Sequence, residues 1–339
     1  MDARPDSGWR QATASLIATA LAASLVAGCD SDSADAKQRF KPGLVATAGH
    51  ARSAIAAAKL GAPIVRVEFD IASRPATMRD DLAAIRRSGA RPLLLAGFRG
   101  RTPTAAEARN LGNWAAAFGP RQGRRLPVRL IEFGNETSYG DQYGDSFRDA
   151  SYARRAELYA IRFAQARRAI GRRQVGLLAQ ADDGGSRSAV WVTRMFTAVP
   201  KLGHMVAGWT VHPYGPRDSW EPKLRRVIAQ TAAMRAPARI PIDVTEYGLS
   251  SSDGDALSDN YGWPTDMTYA QAATALRQTV AGMRGDREIR ERLRLFLVYS
   301  AYDLRAPGAT DEREAYFGAL RQDLSTKGAY TRAVRRLFR

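Results

Sequence analysis

Apolar positions along this chain fall into two kinds of run that alternate. The first kind is short and nearly continuous: Gly43–Gly49 (GLVATAG), Ile64–Asp70 (IVRVEFD), Pro92–Leu95 (PLLL), Val128–Glu136 (VRLIEFGNE), Gln174–Ala179 (QVGLLA), Met205–Tyr214 (MVAGWTVHPY), Ile240–Glu246 (IPIDVTE) and Leu293–Tyr299 (LRLFLVY). Runs of this length, rich in branched residues, predict buried strands. Between them the apolar positions recur with helical spacing, which predicts helices over residues 51–59, 77–88, 104–118, 151–170, 188–199, 221–234, 268–283 and 325–337. Gly61 closes the first helix. Thr104 with Glu107 three residues on forms a capping-box pattern that opens the third. No hairpin turn separates any two strands, so the alternation predicts a parallel sheet. Eight such units in one stretch of this length fit a closed (β/α)8 TIM barrel better than a doubly wound sheet. The absence of a G-x-G-x-x-G after any strand points the same way.

Polar residues interrupt these runs at particular places. On the second strand Arg66, Glu68 and Asp70 alternate and therefore share a face. The fourth strand ends in Asn135-Glu136, and the seventh ends in Glu246. In a (β/α)8 barrel the chemistry sits at the C-terminal ends of the strands, where both glutamates fall. Two carboxylates across a barrel mouth suit glycoside hydrolysis, in which one protonates the departing oxygen and the other attacks the anomeric carbon or activates water. Glu132 shares the inward face with Glu136, and a carboxylate inside a barrel requires a partner.

Three motifs carry a more specific resemblance. Glu132-Phe-Gly-Asn135-Glu136, His212-Pro-Tyr214-Gly and Thr245-Glu246-Tyr247-Gly248, in this order and on these strands, resemble the signatures of the large clan of retaining (β/α)8 glycosidases. That clan includes the cellulase/mannanase family and the β-xylosidase/α-iduronidase family. The resemblance implies Glu136 as general acid/base, Glu246 as nucleophile, Asn135 on the sugar 2-hydroxyl and Tyr214 as a donor that keeps Glu246 ionised. It places His212 beside the acid/base and makes Arg66 the first candidate partner of Glu132, within reach of the nucleophile. A purely structural Arg66–Glu132 pair remains the alternative. The chain departs from the clan at Tyr299-Ser300-Ala301-Tyr302, where a tryptophan usually floors the reacting sugar and Ala301 stands in its place. Either Tyr299 or Tyr302 would then supply the ring, or the site would accept a bulkier or differently oriented sugar.

Composition adds the setting. Residues 1–28 end in Val26-Ala27-Gly28 before the sole cysteine, Cys29, after an apolar stretch preceded by Arg4 and Arg10. This resembles a bacterial lipoprotein signal with Cys29 as the lipidated residue, which implies an exported chain held on the cell membrane. Residues 29–41 read as a flexible tether and 42–339 as one catalytic barrel. The net charge is +17, yet only six of the 51 basic residues are lysine and the arginines are spread over most helices. Scattered charge predicts solvated helix faces rather than a nucleic-acid site. The three histidines lack metal-ligand spacing, and neither a metal nor a cofactor is expected. Aromatic residues after the key strands, Tyr139, Tyr143, Trp220, Tyr261 and Trp263, are candidate sugar platforms, whereas Trp114, Trp191 and Trp209 are expected to pack. Asp182-Asp183 reads as a polar turn, and Ser250-Ser251-Ser252 as loop.

The expectation is a monomeric retaining glycosidase acting on a β-linked oligo- or polysaccharide. Transglycosylation through the same intermediate and a non-catalytic carbohydrate-binding barrel are the alternatives.

Overall fold

Each apolar run pairs in parallel with its sequence neighbours, and the last returns to the first, so the sheet closes in the order β1 to β8. The computed structural model of the protein describes residues 40–47, 49–98, 101–138, 152–181, 188–237, 240–253, 262–263, 267–306 and 313–339. The strands are β1 (Lys41–Val45), β2 (Ile64–Asp70), β3 (Arg91–Gly97), β4 (Leu130–Phe133), β5 (Gly176–Gln180), β6 (Gly208–Val211), β7 (Ile242–Gly248) and β8 (Leu293–Tyr299). The helices are α1 (His50–Leu60), α2 (Arg79–Arg87), α3 (Ala105–Phe118), α4 (Tyr152–Ile170), α5 (Ser188–Ala198), α6 (Arg217–Ala233), α7 (Tyr269–Gly285), α8 (Arg287–Arg292) and α9 (Gly328–Leu337). The described residues fall in one compact unit that spans Gln38–Arg339. Among them no helix is long and apolar enough to cross a membrane.

The periodicity of the sequence explains how this shell is built. Outward strand residues such as Val65, Val67, Phe69, Ile131 and Phe133 join the helices in one continuous core. Inward residues Val45, Ile64, Leu93, Leu178, Leu295 and Leu297 fill the barrel itself. Because both faces are covered, the strands read as unbroken apolar runs. Trp114, Trp191 and Trp209 are fully buried in the packing, as their positions predicted. Thr104 caps α3 through the predicted box with Glu107, and Thr268 caps α7 through the same arrangement with Gln271.

The elements differ from the sequence pattern at the mouth of the barrel and at its opposite end. The first strand stops at Val45, and His50 already opens α1. β4 stops at Phe133 and β6 at Val211, so Asn135, Glu136, His212 and Tyr214 stand on the turns just past their strands. At the opposite end a short helix, α8, intervenes before β8, started by Asp286 accepting from the Ile289 amide.

Candidate active site

A bulge in β7 decides which of its residues face the barrel interior. Val244 pairs with Phe296 and Tyr247 with Val298, so β7 carries one residue more than β8 between these pairs. Strict alternation would turn Thr245 inward and Glu246 outward. With the extra residue both turn inward: Thr245 reaches Glu132 at 2.9 Å and Glu246 reaches Arg66 at 2.6 Å. Tyr247 then faces the helices, where its hydroxyl meets Thr279 of α7.

The end of β4 is shaped by backbone rather than by register. Gly134 has φ of 81°, and a Cβ there would overlap both Phe98 and Thr137. Only glycine accommodates that turn. Glu136, two residues on, adopts φ of 44°, a conformation that non-glycine residues hold only where their surroundings enforce it.

Arg66 joins the two strand ends. Its Nε donates to Glu132 Oε2 at 2.5 Å, Nη1 to Glu246 Oε1 at 2.6 Å and Nη2 to Asn135 Oδ1 at 2.9 Å. Pairing with Glu132 and bonding to Glu246 are therefore done by one guanidinium at once. The contact to Asn135 Oδ1 turns the other end of that amide, its Nδ2 donor, away from Arg66. Glu132 is fully buried, which alone would raise its pKa, but Arg66 and His212 hold it down at about 2. Burial would lower the Arg66 pKa, yet Glu132 and Glu246 raise it beyond the usual arginine value. Glu246 is likewise held below the usual carboxylate range, burial being outweighed by His212, Arg66 and the 2.9 Å hydrogen bond from the Tyr214 hydroxyl.

His212 occupies the centre of a chain of hydrogen bonds. Its Nδ1 lies 3.0 Å from Glu136 Oε1, and its Nε2 lies 3.1 Å from Thr245 Oγ1. The Thr245 hydroxyl donates to Glu132, so it accepts from His212, which fixes a proton on Nε2. Burial would lower the imidazole pKa, but Glu246, Glu132 and Glu136 together raise it to about 10. His212 is thus an imidazolium at neutral pH and donates from both nitrogens.

Glu136, His212 and Glu246 present ligand atoms within 4.8 Å of one another, close enough for a cation. A cation there would have to break existing bonds: Glu246 accepts from Arg66 and Tyr214 on its two oxygens, and the two nitrogens of His212 are held by Glu136 and Thr245.

Other expected positions are distributed differently. A cavity of about 270 Å³ adjoins Glu246, and the ring that lines it is Tyr299, together with Arg66, Glu68, His50 and Ser300. Tyr302 is not among its lining; it is 6% exposed, packs in the outer core and lies under Arg52. Ala301 is fully buried in that same core. Of the two tyrosines expected to supply a ring in place of Ala301, Tyr299, the last residue of β8, is the one that lines this cavity. Trp263 lines a groove of about 960 Å³ between α6 and α7, and not the cavity beside Glu246. Trp220 belongs to the first turns of α6 and is buried against Gly282 of α7, so it offers no face to a sugar. Asp70 accepts from the Ala72 amide, which is a turn role. Ser250 to Ser252 are buried loop residues, with the Ser250 hydroxyl donating to the Arg313 carbonyl. Cys29, Tyr139, Tyr143, Asp182, Asp183 and Tyr261 lie outside the described residues. Thr245 was not singled out by sequence; its only signal was its place in the Thr-Glu-x-Gly motif.

No protein-family model and no curated sequence matches the chain. Solved structures do match over most of its length. A Streptomyces cattleya GH5_18 protein in complex with GlcNAc superposes with a TM-score of 0.57 at 16% identity, over 88% of this chain and 80% of that one. CJP38, a β-1,3-glucanase and allergen of Cryptomeria japonica pollen, gives 0.56 at 13% identity, over 86% and 98%. A Thermobacillus composti GH10 xylanase gives 0.53 at 16% identity, over 88% and 97%. At such identities the likeness is one of fold, the single (β/α)8 barrel.

Proposed function

We propose that the chain is a retaining glycosidase that cleaves β-glycosidic bonds of an oligo- or polysaccharide, with Glu246 as nucleophile and Glu136 as acid/base. The observation that carries this reading is the approach of the Glu136 and Glu246 oxygens within 4.8 Å, with His212 between them. Retaining enzymes hold their carboxyl groups about 5–5.5 Å apart, whereas inverting ones leave roughly 6.5–9.5 Å for a water. The fold likeness to glycosidases supports the reading as analogy only.

In the first step a Glu246 oxygen forms a bond to the anomeric carbon as the glycosidic bond breaks, and Glu136 gives its proton to the departing oxygen. The Nδ1–H of His212 engages Glu136 Oε1, which leaves Oε2 to carry that proton. Asn135 donates to the 2-hydroxyl, and Tyr299 floors the ring. In the second step Glu136 takes a proton from water, whose oxygen displaces Glu246 from the anomeric carbon. A 2-fluoro glycosyl fluoride tests the reading: peptide mass mapping is expected to find the sugar on Glu246. Label elsewhere, or none across a panel of sugars, would refute it.

The sequence around Cys29 supports a further part of the proposal, an exported chain anchored by lipid on Cys29. Incorporation of labelled palmitate that is abolished by Cys29→Ala is the expected result, and equal incorporation by both would overturn it.

A further inference from the structure

We propose that Glu68 selects the sugar that Glu246 attacks, by accepting hydrogen bonds from the ring hydroxyls at C3 and C4. The proposal rests on the glycosidase reading above and gives that site its preference for a neutral sugar with both hydroxyls present.

The cavity beside Glu246 is small. Its volume of about 270 Å³ falls at the bottom of the range for ligand pockets, roughly 300–1,000 Å³, and suits about one ring. Arg66 and Glu68 from β2 line it, as do Tyr299 and Ser300 at the end of β8, with the end of β1 between the two strands. Alternation puts Arg66 and Glu68 on the same face of β2, with Glu68 one step nearer the mouth. Arg66 is committed below, to Glu132, Glu246 and Asn135. Glu68 is half-buried and stands above it, on the rim of the same cavity.

Its place there is built by the neighbouring strand. A Cβ on Gly97 of β3 would overlap Glu68 Oε1, so any other residue at that position would force the carboxylate aside. The other walls then locate the sugar. Glu246 marks C1, and Asn135, tied to Arg66, marks C2. Continuing around the ring from C2, past Arg66 and up β2, the next hydroxyls are those at C3 and C4, and the side chain that meets them is Glu68. A carboxylate has two oxygens and so accepts from two adjacent hydroxyls. A site built to bond a hydroxyl discriminates strongly against the analogue that lacks it.

The experiment compares an aryl β-glycoside with its 3-deoxy and 4-deoxy analogues on the wild type, Glu68→Ala, Glu68→Gln and Gly97→Ala. Wild type is expected to lose roughly 10- to 100-fold in kcat/KM on each deoxy substrate. Glu68→Ala is expected to lose a similar factor on the parent, mainly through KM, and then to show no further loss on the analogues. Gly97→Ala moves the carboxylate without removing it and is expected to follow Glu68→Ala. Because the readout is the ratio of parent to analogue, a merely destabilised variant leaves it unchanged, and Glu68→Gln carries the test if the alanine variant does not fold. Turnover with the same ratio in all four proteins overturns the role of Glu68 while leaving the glycosidase reading intact. If no glycoside is turned over, calorimetric affinities for the same series give the ratio directly. A ratio that collapses in the variants then keeps Glu68 as the selector and removes the enzyme reading, and equal or undetectable binding removes both.

Discussion

Arg66 and Arg294 both meet buried carboxylates inside this barrel, and they do so in opposite ways. At the N-terminal end of the barrel Arg294 forms a two-bond pair with Asp243, from Nε at 2.9 Å and Nη2 at 2.5 Å. The pair is self-contained: Asp243 is fully buried, the Arg294 side chain is 29% exposed, and Gly208 leaves it room. Near the C-terminal end Arg66 spreads its three nitrogens over Glu132, Glu246 and Asn135, with only 3% of its side chain exposed. Burial wins at Asp243, whose pKa is raised despite Arg294, and loses at Glu132, whose pKa is lowered to about 2. A one-to-one pair merely neutralises a charge. A shared cation together with the imidazolium of His212 keeps two carboxylates ionised in the same dry space, which is what a nucleophile requires.

Removing each arginine separates the two designs most sharply. Arg66→Met leaves Glu132 and Glu246 to share the His212 imidazolium alone, at an expected cost of about 3–5 kcal/mol of stability. Glycosidase activity is expected to be lost with it. Arg294→Met leaves one carboxylate that can take up a proton, at about 1–3 kcal/mol, with kcat/KM unchanged. Unfolding midpoints and activity measured side by side check both. Equal losses of activity would mean that Arg66 serves structure alone.

Tyr214→Phe tests the ionisation of Glu246, the proposed nucleophile. The Tyr214 hydroxyl donates to charged Glu246 and so lowers its pKa. Without that bond the pKa rises, and the acidic limb of the kcat/KM profile is expected to move to higher pH. At the optimum kcat/KM falls by roughly 10- to 100-fold. A variant with reduced activity and an unmoved acidic limb would contradict this assignment.

Thr245→Val, which keeps the shape, reaches one bond further from the chemistry. It removes the hydroxyl between His212 and Glu132 and leaves two buried polar atoms unpaired, for about 1–3 kcal/mol. Thr245 is a positioning residue, so kcat is expected to fall by roughly tenfold or less while KM holds. A change in KM alone would place it differently.

Much of this arrangement was legible in the sequence because strand ends and periodicity are local. The eight apolar runs, the inward face shared by Arg66 and Glu68, and the two glutamates at strand ends needed no partner to be seen. What stayed hidden depends on another part of the chain. The bulge that turns both Thr245 and Glu246 inward exists only in the register of β7 against β8. The ring beside Glu246 is Tyr299 rather than Tyr302 because β8 ends there and the following residues turn into the outer core. Trp263 lines the groove between α6 and α7, a place that its spacing from Glu246 does not encode. Asp303 and Lys327, far apart from any strand pattern, gave no sign of meeting.

That last pair supplies a third buried cation–carboxylate contact and the smallest expected effect. Lys327 Nζ lies 3.1 Å from Asp303 Oδ1 and 2.9 Å from the Tyr316 carbonyl, and neither side chain is more than 2% exposed. Burial raises the Asp303 pKa from 3.8 to about 6, against the opposing pull of Lys327 and of the Gly318 amide. Between these two values the folded chain binds more protons at Asp303 than the unfolded chain, so the contribution of Asp303 to stability is full below pH 3.8 and falls as pH rises through 6. Asp303→Asn stays neutral throughout. The difference in unfolding midpoint between the variant and the wild type is therefore expected to move in favour of the variant from pH 4 to pH 7. Taking the difference cancels the carboxylates common to both, including Glu132, whose lowered pKa acts in the other direction. Movement in favour of the wild type would mean that the attraction of Lys327 outweighs burial, and Asp303 would then belong with the ionised carboxylates around Arg66 rather than with Asp243.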